Sequence, residues 1–321
     1  MEKINWGIIG LGNIAHKFAQ DLALVKGAEL VAVASRSKSK SKEFASKYSV
    51  NKAYSSYADL ASDSNVQAVY IATPHSFHKE HSILCLKHRK AVLCEKPFAI
   101  NAKEVDEMIK VAKENNVLLM EALWTYFLPH YTYLLDVVKN QYLGSLLKLK
   151  ADFGFKATND LESRFLKKEI GGGSLLDIGI YPVFAALSTL GEPESIKANA
   201  TFYGTGADAE CNMVFNYQNA SAILKSTFLK ETDSLAIFTF QEGVVQMNTR
   251  FHQPTSLTIS KNNTTVTEYI PYKGYGYYYE ILHFNQLLRE DKKESEIMSF
   301  QFSKTLIKTL DKLRSLIGLE Y

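Results

Sequence analysis

The sequence predicts an α/β protein in which a doubly wound parallel sheet is followed by an α+β domain on a large, mainly antiparallel sheet. Three observations point there. Apolar, strand-length runs alternate with helical patterns from residue 4 to 120, and a glycine turn joins the first strand to the first helix. Short β-type runs punctuated by Gly, Asn and Asp then crowd residues 196–269.

Residues 4–9 (INWGII) form a short buried strand, and residues 14–26 carry Ile14, Phe18, Leu22 and Val25 on one helical face. Gly27 closes that helix before the apolar run 30–34, which completes a βαβ unit. The alternation continues with helices expected at 39–48, 57–61, 78–88 and 102–114, and strands at 53–54, 66–72, 91–94 and 118–120. Strands this apolar suit a sheet covered on both faces. After Trp124 the texture changes: a helix at 130–139, a strand at 146–155, and a glycine run (Gly171, Gly172, Gly173) leading into an apolar helix that ends near Leu190. Seven β-type runs and two helices, 277–290 and 300–316, follow. A chain of 321 residues exceeds one ordinary core, so two domains are expected, 1–122 and 123–321.

Bulk chemistry narrows the function classes. The net charge is +3, from 37 basic and 34 acidic residues, too small and scattered an excess for a nucleic-acid surface. Cys85, Cys94 and Cys211 share no paired spacing, which argues against a disulfide framework or a zinc site. His75, His78 and His81 recur every three residues, but they straddle a strand–helix junction with no carboxylate or cysteine to complete a metal set. No run of about 18 apolar residues suggests a span, and no secretion-type leader is visible, so the cytoplasm is the expected compartment. Asn262-Asn263-Thr264 fits a glycosylation pattern but is explained as a hairpin turn. Residues 274–280, with four tyrosines, suggest aromatic packing or a pocket lid.

Gly10-Leu11-Gly12-Asn13-Ile14-Ala15 matches G-x-G-x-x-A between strand and helix. The first Gly makes a tight turn, the second admits a pyrophosphate, and the small third residue lets helix and strand pack closely. N–H groups and the dipole at the helix start favour anionic phosphates. The end of the second strand discriminates the two nicotinamide cofactors. An acid there would bind the ribose 2′-hydroxyl and repel a 2′-phosphate, whereas this chain reads Ser35-Arg36-Ser37-Lys38. Arg36 can pair a phosphate as a fork and the serines can hydrogen-bond it, so NADP(H) is favoured over NAD(H).

Glu95-Lys96-Pro97 lies at the C-terminal end of a parallel strand, the edge where such sheets hold ligands. With G-x-G-x-x-A and Thr73-Pro74-x-x-x-His78, it makes the whole chain resemble the glucose–fructose oxidoreductase/inositol dehydrogenase (Gfo/Idh/MocA) family. Residues 120–125 (MEALWT) and 177–182 (DIGIYP) are similar to the branch of NADP-dependent dimeric dihydrodiol dehydrogenases and D-xylose dehydrogenases. The resemblance implies a dinucleotide-binding Rossmann domain and an oxidoreductase acting on a hydroxyl or carbonyl of a sugar or cyclic diol. It further implies that Lys96 orients the reacting hydroxyl and that Tyr181 is the general acid/base. A free phenol titrates near ~10, so a neighbouring cation would be needed to favour the phenolate. Asp177, four residues earlier, would orient Tyr181 or the substrate, with Pro182 marking a helix start or a kink. Thr73, Pro74 and His75 would line the nicotinamide side, with His78 supporting that loop and Glu95 beside Lys96. Trp124, Phe127 and Arg164 are the expected substrate walls, and Tyr126 stands where some relatives carry arginine. A homodimer or higher homo-oligomer through the outer sheet face is expected, with neither nucleic acid nor membrane as partner. The competing expectations are an NAD-dependent inositol or polyol dehydrogenase and a non-catalytic NADP-binding sensor. Retention of both Lys96 and Tyr181 argues against the sensor.

Overall fold

The computed structural model describes residues 3–158, 160 and 163–321. The chain starts as β1 (Ile4–Ile9), α1 (Asn13–Leu22), β2 (Ala28–Ala34), α2 (Lys38–Lys47), β3 (Lys52–Tyr54) and α3 (Tyr57–Ser62). It continues as β4 (Ala68–Ile71), α4 (His78–Lys87), β5 (Ala91–Glu95), α5 (Ala102–Asn115) and β6 (Leu119–Ala122). The six strands form one parallel sheet in the order β3-β2-β1-β4-β5-β6. That order reverses between β1 and β4, and a doubly wound sheet opens its ligand crevice at such a point. Helices cover the strands, which is why β1, β4 and β5 read as unbroken apolar runs: Ile8, Ile9, Val69, Ile71, Val92 and Leu93 are fully buried. Phe18 of α1 stacks on Tyr70 of β4 at 3.6 Å, with Trp6 of β1 tilted against it at 5.6 Å. Rings of this size each contribute about 1.5–3 kcal/mol on burial.

The next stretch holds α6 (Pro129–Lys139), β7 (Leu146–Gly154), a π-helical turn (Leu175–Gly179) and α7 (Ile180–Leu190). After it come β8 (Ser195–Phe202), β9 (Asp208–Asn216), β10 (Ser221–Thr227), β11 (Ala236–Phe240), β12 (Val244–Met247), β13 (Leu257–Lys261) and β14 (Thr264–Glu268). Eight strands form the second sheet in the order β14-β13-β12-β11-β7-β10-β9-β8. Every pair is antiparallel except β7 with β10, so the sheet is mainly antiparallel as expected. Residues alternate between the two faces. Ala222 and Leu224 of β10 are buried on the side that α7 covers, while Ile223 of β10 and Val214 of β9 stand out on the other. The stretch Lys168–Leu190 is long and apolar enough to cross a membrane by composition alone. Its apolar window is 94% buried inside the protein, the position of a core helix.

The chain ends in α8 (Tyr277–Arg289) and α9 (Phe300–Ile317). It divides into two compact units, one of residues 1–124 with 273–304, the other of residues 125–272 with 305–321. What returns α8 to the first unit is Asp21, an acid at the C-terminal end of α1. Its buried carboxylate accepts the N–H groups of Tyr275 at 2.8 Å, Gly276 at 3.0 Å and Tyr278 at 3.1 Å. Tyr278 is an otherwise unpaired first-turn donor of α8, and Tyr275 and Gly276 lead into a helix whose Gly276 cap offers no side chain. Gly274, at φ +59°, lies so close that a Cβ would strike Asp21. Phe284 then packs on Trp6 at 5.1 Å, and the Trp6 indole donates to Asn285 at 3.0 Å. The tyrosines of 274–280 thus belong to a clasp between α1 and α8. Asp21→Ala is expected to cost about 2–4 kcal/mol, since three charge-assisted hydrogen bonds go and their donors stay behind. Urea denaturation measures the loss, and a change below about 0.5 kcal/mol would refute the clasp.

Candidate active site

The glycine turn after β1 contains two glycines present for different reasons. Gly10 has φ +88°, and a Cβ on it would lie 2.6–2.8 Å from the backbone of Ala72 and Thr73. The fold itself therefore requires glycine at residue 10. Gly12 has φ −89° and ψ −172°, which any residue adopts, and a Cβ there would meet nothing within 4 Å. Neither backbone nor packing demands its missing side chain. It caps α1 without a capping hydrogen bond, and it leaves open space where the first N–H groups of α1 point. That cradle fits a dinucleotide pyrophosphate, whose charge the helix start would favour. Leu11 and Ile14 are half-buried and Asn13 is exposed around this space, while Ala15 is fully buried where α1 meets the sheet.

Beyond β2, Ser35 Oγ accepts the Ser37 N–H at 3.2 Å, and Ser37 Oγ caps α2 by accepting the Lys40 N–H. Arg36 is exposed, its guanidinium 5.8 Å from the centre of the Phe77 ring. Phe77 in turn stacks on His81 at 5.8 Å. No acid lies in the first turn of α2. A cationic fork, two hydroxyls and a helix start with no acid in its first turn suit a 2′-phosphate.

The loop after β4 is tied to the turn after β5 by one imidazole. His78 is fully buried, with Nδ1 2.8 Å from the Pro97 carbonyl and Nε2 2.8 Å from the Thr73 carbonyl. Burial pulls its pKa down to about 4, against the pull of those two carbonyls. Thr73 Oγ1 meets His81 Nδ1 at 3.0 Å, so Thr73 is held at both ends. Pro74 leads into the short helical turn His75–Phe77, and His75, buried, sits edge-on to His78 at 5.7 Å. Lys96 is half-buried at the end of β5, beyond Glu95, whose carboxylate accepts the Tyr70 hydroxyl. Trp124 is buried and stacked on Tyr277 of α8 at 4.5 Å, the setting of a packed ring. Among the described residues no group of three or more His, Cys, Asp or Glu is arranged to hold a metal ion.

In the second unit the π-helical turn carries Asp177 and runs straight into α7, whose second residue is Tyr181. A turn of this kind absorbs one extra residue, which accommodates Pro182 without breaking the helix. Asp177 is paired with Arg164, Nη1 to Oδ1 at 3.1 Å, and the Arg164 guanidinium lies 4.3 Å from the centre of the Phe165 ring. Two residues named separately from sequence are therefore one ion pair. Tyr181 is 5% exposed, among the rings of His252 at 4.8 Å and Phe153 at 5.8 Å, which stack on each other at 3.9 Å. Phe127 is buried beside Tyr126 at 6.4 Å.

Several contributors escape sequence reasoning. His252 lies in a loop with no periodic signal, its carbonyl held by Thr125 Oγ1 at 2.6 Å. His130 Nε2 holds the adjacent Phe251 carbonyl at 3.0 Å. Asp208, fully buried at the start of β9, accepts Ser174 Oγ at 2.8 Å and the Leu175 N–H at 2.7 Å, and so clamps the entry to the π turn. Burial raises that carboxyl to about 6. Tyr321 adds its hydroxyl to the Gly172 carbonyl at 2.8 Å.

The two glycines separate experimentally. Gly12→Ala is expected to lower stability by less than about 1 kcal/mol yet to weaken dinucleotide binding more than tenfold by calorimetric titration. Gly10→Ala is expected to destabilise the fold by several times as much. Equal effects of both on stability would refute the assignment of Gly12 to ligand approach.

Comparison with known proteins agrees with this geometry. Residues 4–123 match the model of an oxidoreductase family with an NAD-binding Rossmann fold, and residues 131–246 match that family's C-terminal domain. The chain is 33% identical over 329 residues to the trans-1,2-dihydrobenzene-1,2-diol dehydrogenase of Xenopus tropicalis, covering 98% of each. It is also 33% identical over 327 residues to the scyllo-inositol 2-dehydrogenase (NADP(+)) IolU of Bacillus subtilis, covering 99% of this chain and 98% of that one. Among solved structures, the 3-ketoreductase KijD10 of Actinomadura kijaniata with NADP and TDP-benzene superimposes with a TM-score of 0.89. Its sequence is 24% identical over 98% of each chain, a likeness of fold. With both halves of the family model matched and full-length relatives above 30% identity, this chain belongs to the Gfo/Idh/MocA oxidoreductase family.

Proposed function

We propose that this protein is an NADP(H)-dependent oxidoreductase that interconverts a hydroxyl and a carbonyl on a sugar or cyclic diol by hydride transfer. The observation that carries it is Lys96, placed at the ligand edge of the parallel sheet by β5 and by a turn that His78 anchors. NADP(H) is supported by Arg36, Ser35 and Ser37, by the absence of an acid in the first turn of α2, and by the cofactor named for the Bacillus relative. Residues 1–122 would serve the dinucleotide and residues 123–321 the substrate.

The bound nicotinamide supplies the hydride acceptor or donor. In the oxidative direction Tyr181 takes the hydroxyl proton at its phenolic oxygen as the carbon loses hydride. The Lys96 ammonium donates a hydrogen bond to the reacting oxygen and steadies the charge that develops there. Asp177, held by Arg164, orients the substrate hydroxyls, and Phe127, Phe153 and His252 supply apolar and ring surface. A cyclic polyol is the second substrate class, because the inositol dehydrogenase relative is as similar as the dihydrodiol one.

The outer face of the second sheet supports a homodimer. Val214 and Ile223 are 37% and 42% exposed, in a concavity of about 690 Å³ that lysines 150, 197 and 225 share with Asp152 and Asp233. An apolar centre with both charge signs around it is suited to a twofold, self-complementary contact. Three buried free cysteines, Cys85, Cys94 and Cys211, suit a reducing compartment such as the cytoplasm.

The test is to mix the protein with NADP and a panel of aldoses, inositols and cyclic diols while following reduced-cofactor absorbance. Turnover is expected on at least one, and Lys96→Met and Tyr181→Phe are each expected to lower kcat by about 10²–10⁴-fold with NADP still bound. Arg36→Ala is expected to weaken NADP by about tenfold or more and to leave NAD unchanged. Tight NADP binding with no turnover on any substrate would favour the sensor instead. Ile223→Asp should convert a dimer to a monomer in sedimentation, and a wild-type monomer at micromolar concentration would refute the interface.

A further inference from the structure

The proposed role of Lys96 leaves unexplained a buried acid on the neighbouring strand. In the parallel pairing of β5 with β6, Glu121 lies opposite Cys94 and Ala122 opposite Glu95. Its side chain is 2% exposed. Oε1 accepts the Phe98 N–H at 3.0 Å, which fastens the carboxylate to the backbone two residues beyond Lys96. Oε2 makes no hydrogen bond of standard geometry among the described residues, although the Ser303 hydroxyl of α9 lies near enough to favour the charged form. Lys96 favours that form as well, and Glu95 opposes it. The Cys94 thiol, facing from β5, is held protonated by burial. His78, which also feels the Lys96 charge, is neutral above about pH 4.

A glutamine would hold the Phe98 N–H equally well through its carbonyl oxygen and would avoid burying an ionisable acid. What a glutamine cannot do is carry charge beside Lys96. We propose that Glu121 is a positioning residue for Lys96, pinning the turn at residues 96–98 through Phe98 and setting the proton affinity of the Lys96 amine by its own charge. The proposal rests on the catalytic role of Lys96 given above. Burial is the leading influence on Glu121 and raises its carboxyl to about 7. Below neutrality Glu121 is protonated and adds nothing to the field at Lys96, and as pH rises through 7 it becomes an anion that strengthens the hold of Lys96 on its proton.

The experiment uses the full-length protein without cofactor, its lysines converted to ¹³C-dimethyl amines and followed by NMR from pH 5 to 10. The Lys96 signal is assigned by its disappearance in Lys96→Met. The wild-type signal should show a step near pH 7 that precedes its own titration. Glu121→Gln should abolish the step and weaken the Lys96 proton affinity about tenfold. In the loaded enzyme the same variant should flatten the pH dependence of kcat/KM around neutrality and change KM for NADP by less than about twofold. No step near pH 7 in the wild type overturns the proposal, whether or not the variant folds. Lower activity of Glu121→Gln with an unchanged Lys96 titration overturns it too, leaving the carboxylate a structural pin. Full turnover by Lys96→Met, alongside a pH 7 step in the wild-type Lys96 signal, overturns the role of Lys96 and not its coupling to Glu121.

Discussion

The carboxylate of Asp21, buried beneath the start of α8, is the contact on which the first unit depends. It joins residues 254 to 257 positions apart through hydrogen bonds from three backbone N–H groups. Either partner alone would be costly, because a buried carboxylate without donors and a helix start without acceptors both lose their water. Together they let α8 place Phe284 and Asn285 against Trp6 and stack Tyr277 on Trp124. The same seating buries Glu280 completely, with neither carboxyl oxygen hydrogen-bonded among the described residues. Its own burial first, then Glu95 and Asp21, push the Glu280 carboxyl well above the ordinary range, so it is held as the neutral acid.

Buried acids recur at the joints of this molecule. Asp208 stands at the entry to the π turn as Asp21 stands at the entry to α8, each receiving backbone N–H groups at a helix start. Glu121 holds a turn rather than a helix. In each case the backbone donors are a local reason for the acid. At Glu121 that reason falls short, because a neutral amide would satisfy the donor.

Much of the fold was legible because it is written in short periods. The apolar runs of the first 120 residues fall on strands in the expected order, and the β-type runs after residue 195 fall on the second sheet. Boundaries moved by a few residues, as where α1 ends at Leu22 rather than at residue 26 and the chain passes into tighter i→i+3 turns at Leu24 and Val25. The site was legible where a motif fixes backbone shape, at Gly10 and at the Lys96–Pro97 turn. It was opaque where partners lie far apart in sequence. Asp21 looks like an ordinary surface acid, apart from its poor position near a helix C-terminus, where the dipole disfavours negative charge. Arg164 and Asp177 were each visible, but their pairing needed the fold between them. His252 lies in a loop whose shape depends on Thr125 and His130, more than a hundred residues away.

The clasp between α1 and α8 also has a consequence for how the protein is made. A ribosome releases the chain from the N-terminus, so β1 to β6 emerge long before residues 273–304, which belong to the same compact unit. During that interval the Trp6 ring, the Asp21 carboxylate and the apolar face that α8 covers lack their native cover. Contacts spanning up to 279 residues form late, because loop closure must precede them. The nascent first unit therefore waits as an incomplete, sticky sheet, and chaperone demand in the cell should concentrate in the interval before α8 is synthesised.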